Sequence, residues 1–230
     1  MISVIIPTLE EERYLGKTLA RLVKFAPEIE IIVVDGGSKD KTVEIAKQYT
    51  DRVFRIAERG ISKAKNYGAR HARGDILVFM DADVVVPDDF LLKLARIFQN
   101  PNIVAATCNI MPVQPKLLEF IYFSLLNMVI RFSIKALPKT LTYMFFAVRK
   151  KELLESGGFD EKIACLEELD LSFRLFEFRK FAFAEDLVVY ESLRRIRKVG
   201  FFKILTVWTT ELLAYLIYGV PKSRLWKVVR

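Results

Sequence analysis

Two aspartates one residue apart, Asp81 and Asp83, follow the apolar run Ile76–Met80. Carboxylates are hard oxygen ligands. A pair at the end of a buried strand suits Mg2+ or Mn2+ and leaves coordination positions for water and a diphosphate. An Asp-x-Asp alone is a weak signal, because exposed turns carry the same spacing by chance. Here two further polar groups sit at the ends of apolar runs: Pro7, Thr8 and Glu10 after Ser3–Ile6, and Asp35-Gly36-Gly37-Ser38 after Ile29–Val34. Other chemistries lack residues. The single histidine, His71, excludes a multi-histidine metal site, and Cys108 and Cys165 alone make neither a disulfide framework nor a cysteine zinc site. Both cysteines read as small core residues, and His71 as exposed.

Short apolar runs alternate with helical patterns through the first half, and these elements must position the polar ends. Strands are expected at Ser3–Ile6, Ile29–Val34, Val53–Ile56 and Ile76–Met80. Helices are expected at Glu11–Phe25, Asp40–Gln48, Ser62–Ala72 (with Ser62 as cap) and Asp88–Phe98. That alternation predicts an α/β fold, a mostly parallel sheet flanked by helices. Ligands on such sheets bind beyond the strands' C-terminal ends, which is where the acids are.

The second half has another character. In Lys116–Lys135 the polar residues Lys116, Glu119, Ser124, Asn127, Arg131 and Lys135 form one narrow stripe among Leu, Ile, Phe, Tyr, Val and Met. Phe201–Val220 is also apolar, interrupted by Lys203 and Glu211. Both read as amphipathic helices lying in a membrane interface. The competing reading buries them against the core or a second copy of the chain, which leaves a homo-oligomer open. Residues 186–230 hold nine Lys/Arg against three Asp/Glu, and so carry most of the chain's net charge of +8. A basic, aromatic tail points to an anionic surface. Its aromatics lie among aliphatics, which suits lipid better than nucleic acid. Met1 leads within a few residues into a strand-like run, so no secretory signal is expected.

The order Ser3-Val4-Ile5-Ile6-Pro7-Thr8, Glu10, Val33-Val34-Asp35-Gly36-Gly37-Ser38, Asn66, Gly68, Gly74-Asp75 and Asp81-Ala82-Asp83 resembles the family 2 glycosyltransferases of GT-A (Rossmann-like) fold. The resemblance covers residues 1–195. It implies an inverting glycosyltransferase and assigns roles. Pro7, Thr8 and Glu10 flank the nucleotide's base and ribose, and Asp35 with Gly36 receives the base. Asp81 and Ala82 lie near the ribose, and Asp83 with Asp81 holds Mn2+ or Mg2+. Lys65 stands where relatives carry arginine against the nucleotide. The later run Glu167-Glu168-Leu169-Asp170 resembles the family's Glu-Asp-x-Asp segment, whose second position holds the general base. That position is Glu168 here, with Glu167 and Asp170 as alternatives. An intrahelical Asp170–Arg174 pair is the plainer expectation for Asp170. Arg194 and Arg195 follow the last core segment and suit phosphate.

The expected organisation is a GT-A domain over 1–195 and a basic amphipathic tail over 196–230. The domain divides into a nucleotide-sugar half, 1–115, and an acceptor half, 116–195. The expected reaction moves a sugar from a UDP- or GDP-sugar to a lipid-linked hydroxyl, on the cytoplasmic face of the cell membrane and without nucleic acid. A polyprenyl phosphate acceptor is the alternative. Nucleotidyl transfer is disfavoured, since Thr8-Leu9-Glu10-Glu11-Glu12 is acidic and lacks the glycines that hold a triphosphate.

Overall fold

The computed structural model describes residues 1–136, 142, 145–163, 165–175 and 180–219. Its strands are β1 (Ile2–Thr8), β2 (Ile29–Asp35), β3 (Val53–Arg55), β4 (Ile76–Phe79), β5 (Ile103–Pro112), β6 (Phe146–Arg149) and β7 (Lys180–Glu191). Its helices are α1 (Leu15–Leu22), α2 (Thr42–Lys47), α3 (Ile61–His71), α4 (Phe90–Phe98), α5 (Leu117–Ala136), α6 (Lys150–Glu155), α7 (Glu167–Leu175), α8 (Arg194–Val199) and α9 (Phe201–Tyr218). The strands form one sheet in the order β3-β2-β1-β4-β6-β5-β7. All neighbours run parallel except β6, which is antiparallel to both β4 and β5.

Strands that are apolar at every position need cover on both faces, and they have it. Val4 and Ile6 join a core with Leu15 and Leu19 of α1 and Phe90 and Leu94 of α4. Ile5 between them faces the other core, with Ala64 and Ala69 of α3 and Leu171 of α7. Gly68 lets α3 sit close to β1, since a Cβ there would lie 2.5 Å from Ile5 Cγ2.

Several boundaries differ from expectation for local reasons. Residues 11–14 make a turn, so α1 starts at Leu15. Ser62 does not cap α3. It lies in the first turn, and its hydroxyl reaches the Ile163 carbonyl at 3.4 Å. Helix α7 starts at Glu167, so Glu167 and Glu168 occupy its first turn. His71 is exposed, and both cysteines are buried.

Only part of the polar stripe of α5 faces inward: Glu119 and Asn127 are buried, with Ser133, beside Phe123 and Ile130, while Lys116, Arg131 and Lys135 are exposed. Asn127 fixes the orientation. Its Oδ1 accepts from Ile110 N (3.0 Å) and its Nδ2 donates to Ile110 O (2.9 Å), pairing a stretch of β5 beyond the end of β6. Leu117, Leu118, Phe120, Leu125, Met128 and Phe132 therefore face outward, each between 48 and 73% exposed. Helix α9 lies alongside: Tyr122 contacts Phe201 and stacks on Trp208 with centroids 6.0 Å apart. It exposes Phe202, Leu213, Leu216 and Ile217. Both helices are long and apolar enough to cross a membrane. The last part of the basic tail, residues 220–230, lies outside the described residues.

Candidate active site

The adjacency of β2, β1 and β4 brings Thr8, Asp35 and Asp81 to one edge of the sheet, with Thr8 in register with Asp35. A cavity of about 710 Å³ opens over this edge and continues beneath α7 and between α5 and α9. Thr18 of α1 anchors the loop after β4, its hydroxyl placed 2.8 Å from Ala82 O and 3.0 Å from Val84 O. Val85 then pairs with Tyr190 in both directions, at 2.7 and 2.9 Å. That bridge draws the end of β7 and the start of α8 over Asp83.

Two acids not expected at the site join it by this route. Glu191 ends β7 and is 5% exposed. Burial pushes its pKa well up, and the Asp81 and Asp83 charges add to the rise. Glu11 receives both Arg194 Nη atoms at 2.5 and 2.6 Å, while Arg194 Nε lies 3.0 Å from Asp83 Oδ2. Burial raises Asp81, Asp83 and Glu11 as well, against the pull of Lys65 or Arg194. Glu191 was legible in principle: a parallel last strand must end on the same edge. Glu11 carried no such signal.

Eight carboxylates and four cationic side chains line the cavity. An anion of high charge needs a cation to enter such a site. Asp81 and Asp83 offer hard oxygens for one. Among the described residues no three His, Cys, Asp or Glu side chains gather at metal-ligating spacing. The protein's share of a coordination shell is thus small, which fits Mg2+ or Mn2+ that keeps water and phosphate ligands.

At the far side α7 supplies Glu167 and Glu168. Lys65 Nζ reaches up from α3, 2.8 Å from Glu167 Oε1 and also bonded to Glu168. All three are buried. One ammonium cannot neutralise two carboxylates, so burial and the Glu167 charge push the Glu168 pKa up to about 7 despite Lys65. Lys65 is itself held protonated, because these charges outweigh its desolvation. The segment before α7 is tied down by Asn66. Its Nδ2 donates to Phe159 O (2.9 Å) and its Oδ1 accepts from Phe159 N (2.8 Å). Gly158 makes room for it, with φ +73° and a hypothetical Cβ only 2.6 Å from Asn66 Oδ1.

Pro7, Thr8, Gly36, Asp81, Ala82, Asp83, Glu167, Glu168, Arg194 and Arg195 all line the cavity. Four expected site residues do not. Asp35 is fully buried and already used: it accepts from Gly37 N (3.0 Å), Ser38 N (2.9 Å) and the Ser38 hydroxyl, with Arg55 at 3.6 Å. It shapes the turn, and Gly36 faces the cavity instead. Lys65 is spent on the α7 acids rather than turned to the nucleotide edge. Glu10 adopts φ 59° and its N–H donates to Ser38 Oγ, while its neighbours Leu9 and Glu11 form the wall. Asp170 binds Arg174 Nη2 at 2.7 Å and accepts from Tyr215 OH at 2.9 Å, away from the cavity.

Residues 3–158 match the family model Glycosyl transferase family 2. A 4,4'-diaponeurosporenoate glycosyltransferase of Staphylococcus haemolyticus is 38% identical over 99 residues, 40% of this chain and 26% of its own. A dolichol-phosphate mannosyltransferase of Pyrococcus furiosus is 34% identical over 111 residues, 45% of this chain and 32% of its own. These matches thus span about a third or less of either relative. Among solved structures, a Pyrobaculum calidifontis mannosyltransferase in complex with GDP-Man and Mn2+ superposes with a TM-score of 0.72 at 21% identity, covering 93% of this chain and 61% of that one. At that identity the likeness concerns the fold.

Proposed function

The chain belongs to glycosyl transferase family 2, and from that premise we propose that it transfers a sugar from a nucleoside diphosphate sugar to a membrane-associated hydroxyl, with inversion at the anomeric carbon. One observation carries the reading: the Asp81/Asp83 pair at the sheet edge and the buried Glu168, with a pKa near neutrality, line one continuous cavity.

The donor's nucleotide lies along Pro7, Thr8 and Gly36, with its diphosphate toward Asp81 and Asp83. Mn2+ or Mg2+ held by these aspartates, when bound, offsets charge on the leaving diphosphate. The Pyrobaculum structure's GDP-Man and Mn2+ support this assignment by analogy. Arg194, now on Asp83 and Glu11, stands close enough to exchange Asp83 for the diphosphate. Glu168 accepts the acceptor hydroxyl's proton. The acceptor oxygen bonds to the anomeric carbon as the bond from that carbon to the diphosphate oxygen breaks, and the nucleoside diphosphate leaves with the electron pair. A single base and attack opposite the leaving group invert the centre. Glu167 and Lys65 keep Glu168 poised: Lys65 lowers its pKa and Glu167 raises it.

The outward apolar faces of α5 and α9, with the basic C-terminal segment, support attachment to an anionic membrane surface, which would be the cytoplasmic leaflet. A phosphate acceptor is the second reading, favoured by the relative named for dolichol phosphate.

Calorimetric titration with UDP, GDP, CDP and ADP tests the donor site, with and without Mn2+, on the parent and Asp83→Ala. The expected result is Mn2+-dependent binding of one diphosphate, lost in the variant. A folded sample that binds none of them overturns the proposal.

A further inference from the structure

Glu211 lies in the middle of α9, where the helix turns into the cavity. It is 1% exposed, and neither carboxylate oxygen meets a nitrogen or oxygen donor; only the Cys165 thiol, a weak donor, approaches it. A buried carboxyl without strong donors is costly. Its surroundings are apolar: Trp208, Leu212 and Leu205 of the same helix, Leu126 and Ile130 of α5, and the thiol of Cys165. The donor chemistry described above uses none of these groups. They form the end of the cavity that lies between α5 and α9.

We propose that this end is an acceptor subsite for an amphiphile with a neutral, polyhydroxyl head group: Glu211 accepts hydrogen bonds from head-group hydroxyls, and the α5–α9 wall holds the hydrocarbon chain. The inference rests on the glycosyltransferase reading and narrows its acceptor. Charge decides between the hydroxyl and phosphate alternatives. Three carboxylates, Glu167, Glu168 and Glu211, border this end, and Lys65 is shared between the first two. Arg195 acts on Asp81, Asp83 and Glu191 as well as on the Cys165 thiol, so its charge is shared. Over the whole lining eight carboxylates face four cationic side chains, so a phosphate head would meet net negative charge, whereas hydroxyls supply the strong donors that Glu211 lacks.

The probes are dodecyl maltoside and dodecyl phosphate, each titrated below its micelle-forming concentration into the full chain with Mn2+ and the diphosphate identified above. The parent is expected to bind the maltoside at least tenfold more tightly than the phosphate. Glu211→Gln should weaken maltoside binding about tenfold and improve phosphate binding. Its thermal midpoint should hold, since the amide keeps the carboxyl's shape and volume, and that keeps the comparison in folded protein. Equal or stronger phosphate binding by the parent, or maltoside binding untouched in Glu211→Gln, overturns the subsite. If the diphosphate binds and the maltoside does not, the subsite alone is wrong. If the maltoside binds as expected and no diphosphate does, the subsite stands and the transferase reading falls.

Discussion

Replacing Lys65 by methionine should cost stability at neutral and alkaline pH and little in acid. The ammonium is 2% exposed and bonded to both Glu167 and Glu168, whose side chains are 6 and 11% exposed. Methionine fills the same volume and removes the charge, leaving two neighbouring carboxylates with no cation between them. Breaking a buried pair from one side costs about 3–5 kcal/mol. At an m-value of about 2–3 kcal/mol/M this lowers the urea midpoint by roughly 1–2.5 M. The sign of the pH dependence follows from the acids. The folded pKa of Glu168 is already raised to about 7, and losing Lys65, which pulls it down, raises it further. A group raised on folding contributes stability below its unfolded pKa and loses that contribution as pH climbs through the folded one. The deficit of Lys65→Met should therefore be small near pH 4.5, clear by about pH 8 and still growing above it. Urea unfolding of parent and variant at both values measures it. A deficit of the same size at both, or under about 1 kcal/mol at pH 8, would refute the idea that one lysine compensates a buried acid pair.

Two further outcomes are expected. Transfer by the parent should rise as pH increases through about 7, because Glu168 must be ionised to accept a proton; Glu168→Gln should lower kcat about 10²–10⁴-fold with diphosphate affinity unchanged, and a loss of affinity equal to the loss of rate would speak against a base. The triple variant Leu125→Ser, Met128→Ser and Phe132→Ser alters side chains that are 52, 53 and 61% exposed, so its thermal midpoint should stay put while flotation with anionic vesicles falls by about two orders of magnitude. Undiminished flotation would remove these side chains from membrane contact.

The polar edge of the sheet was legible in the sequence because its parts are local. Each of β1, β2 and β4 is an apolar run followed directly by its polar residues, and the pairing of parallel strands sets them side by side. What was hidden depends on contacts distant in the chain. Lys65 reads as a contact to the nucleotide until α7, a hundred residues later, lies over it. Arg194 finds Glu11 and Asp83 only because Val85 and Tyr190 bridge the β4 loop to the end of β7. The stripe on α5 was visible, but its direction was not. Periodicity gives the angle between two faces and no sign, and Asn127's bonds to Ile110 supply that sign.

The grip of Arg194 on Asp83 and Glu11 bears on how this protein comes to be folded. Many acid-rich pockets are held open by mutual repulsion until an ion arrives, so chelation unravels them. Here the counter-ion is a residue of the chain itself, carried by α8 directly after β7. An ion arriving at Asp83 would compete with a covalently tethered guanidinium, so its net contribution to the folded state would be small.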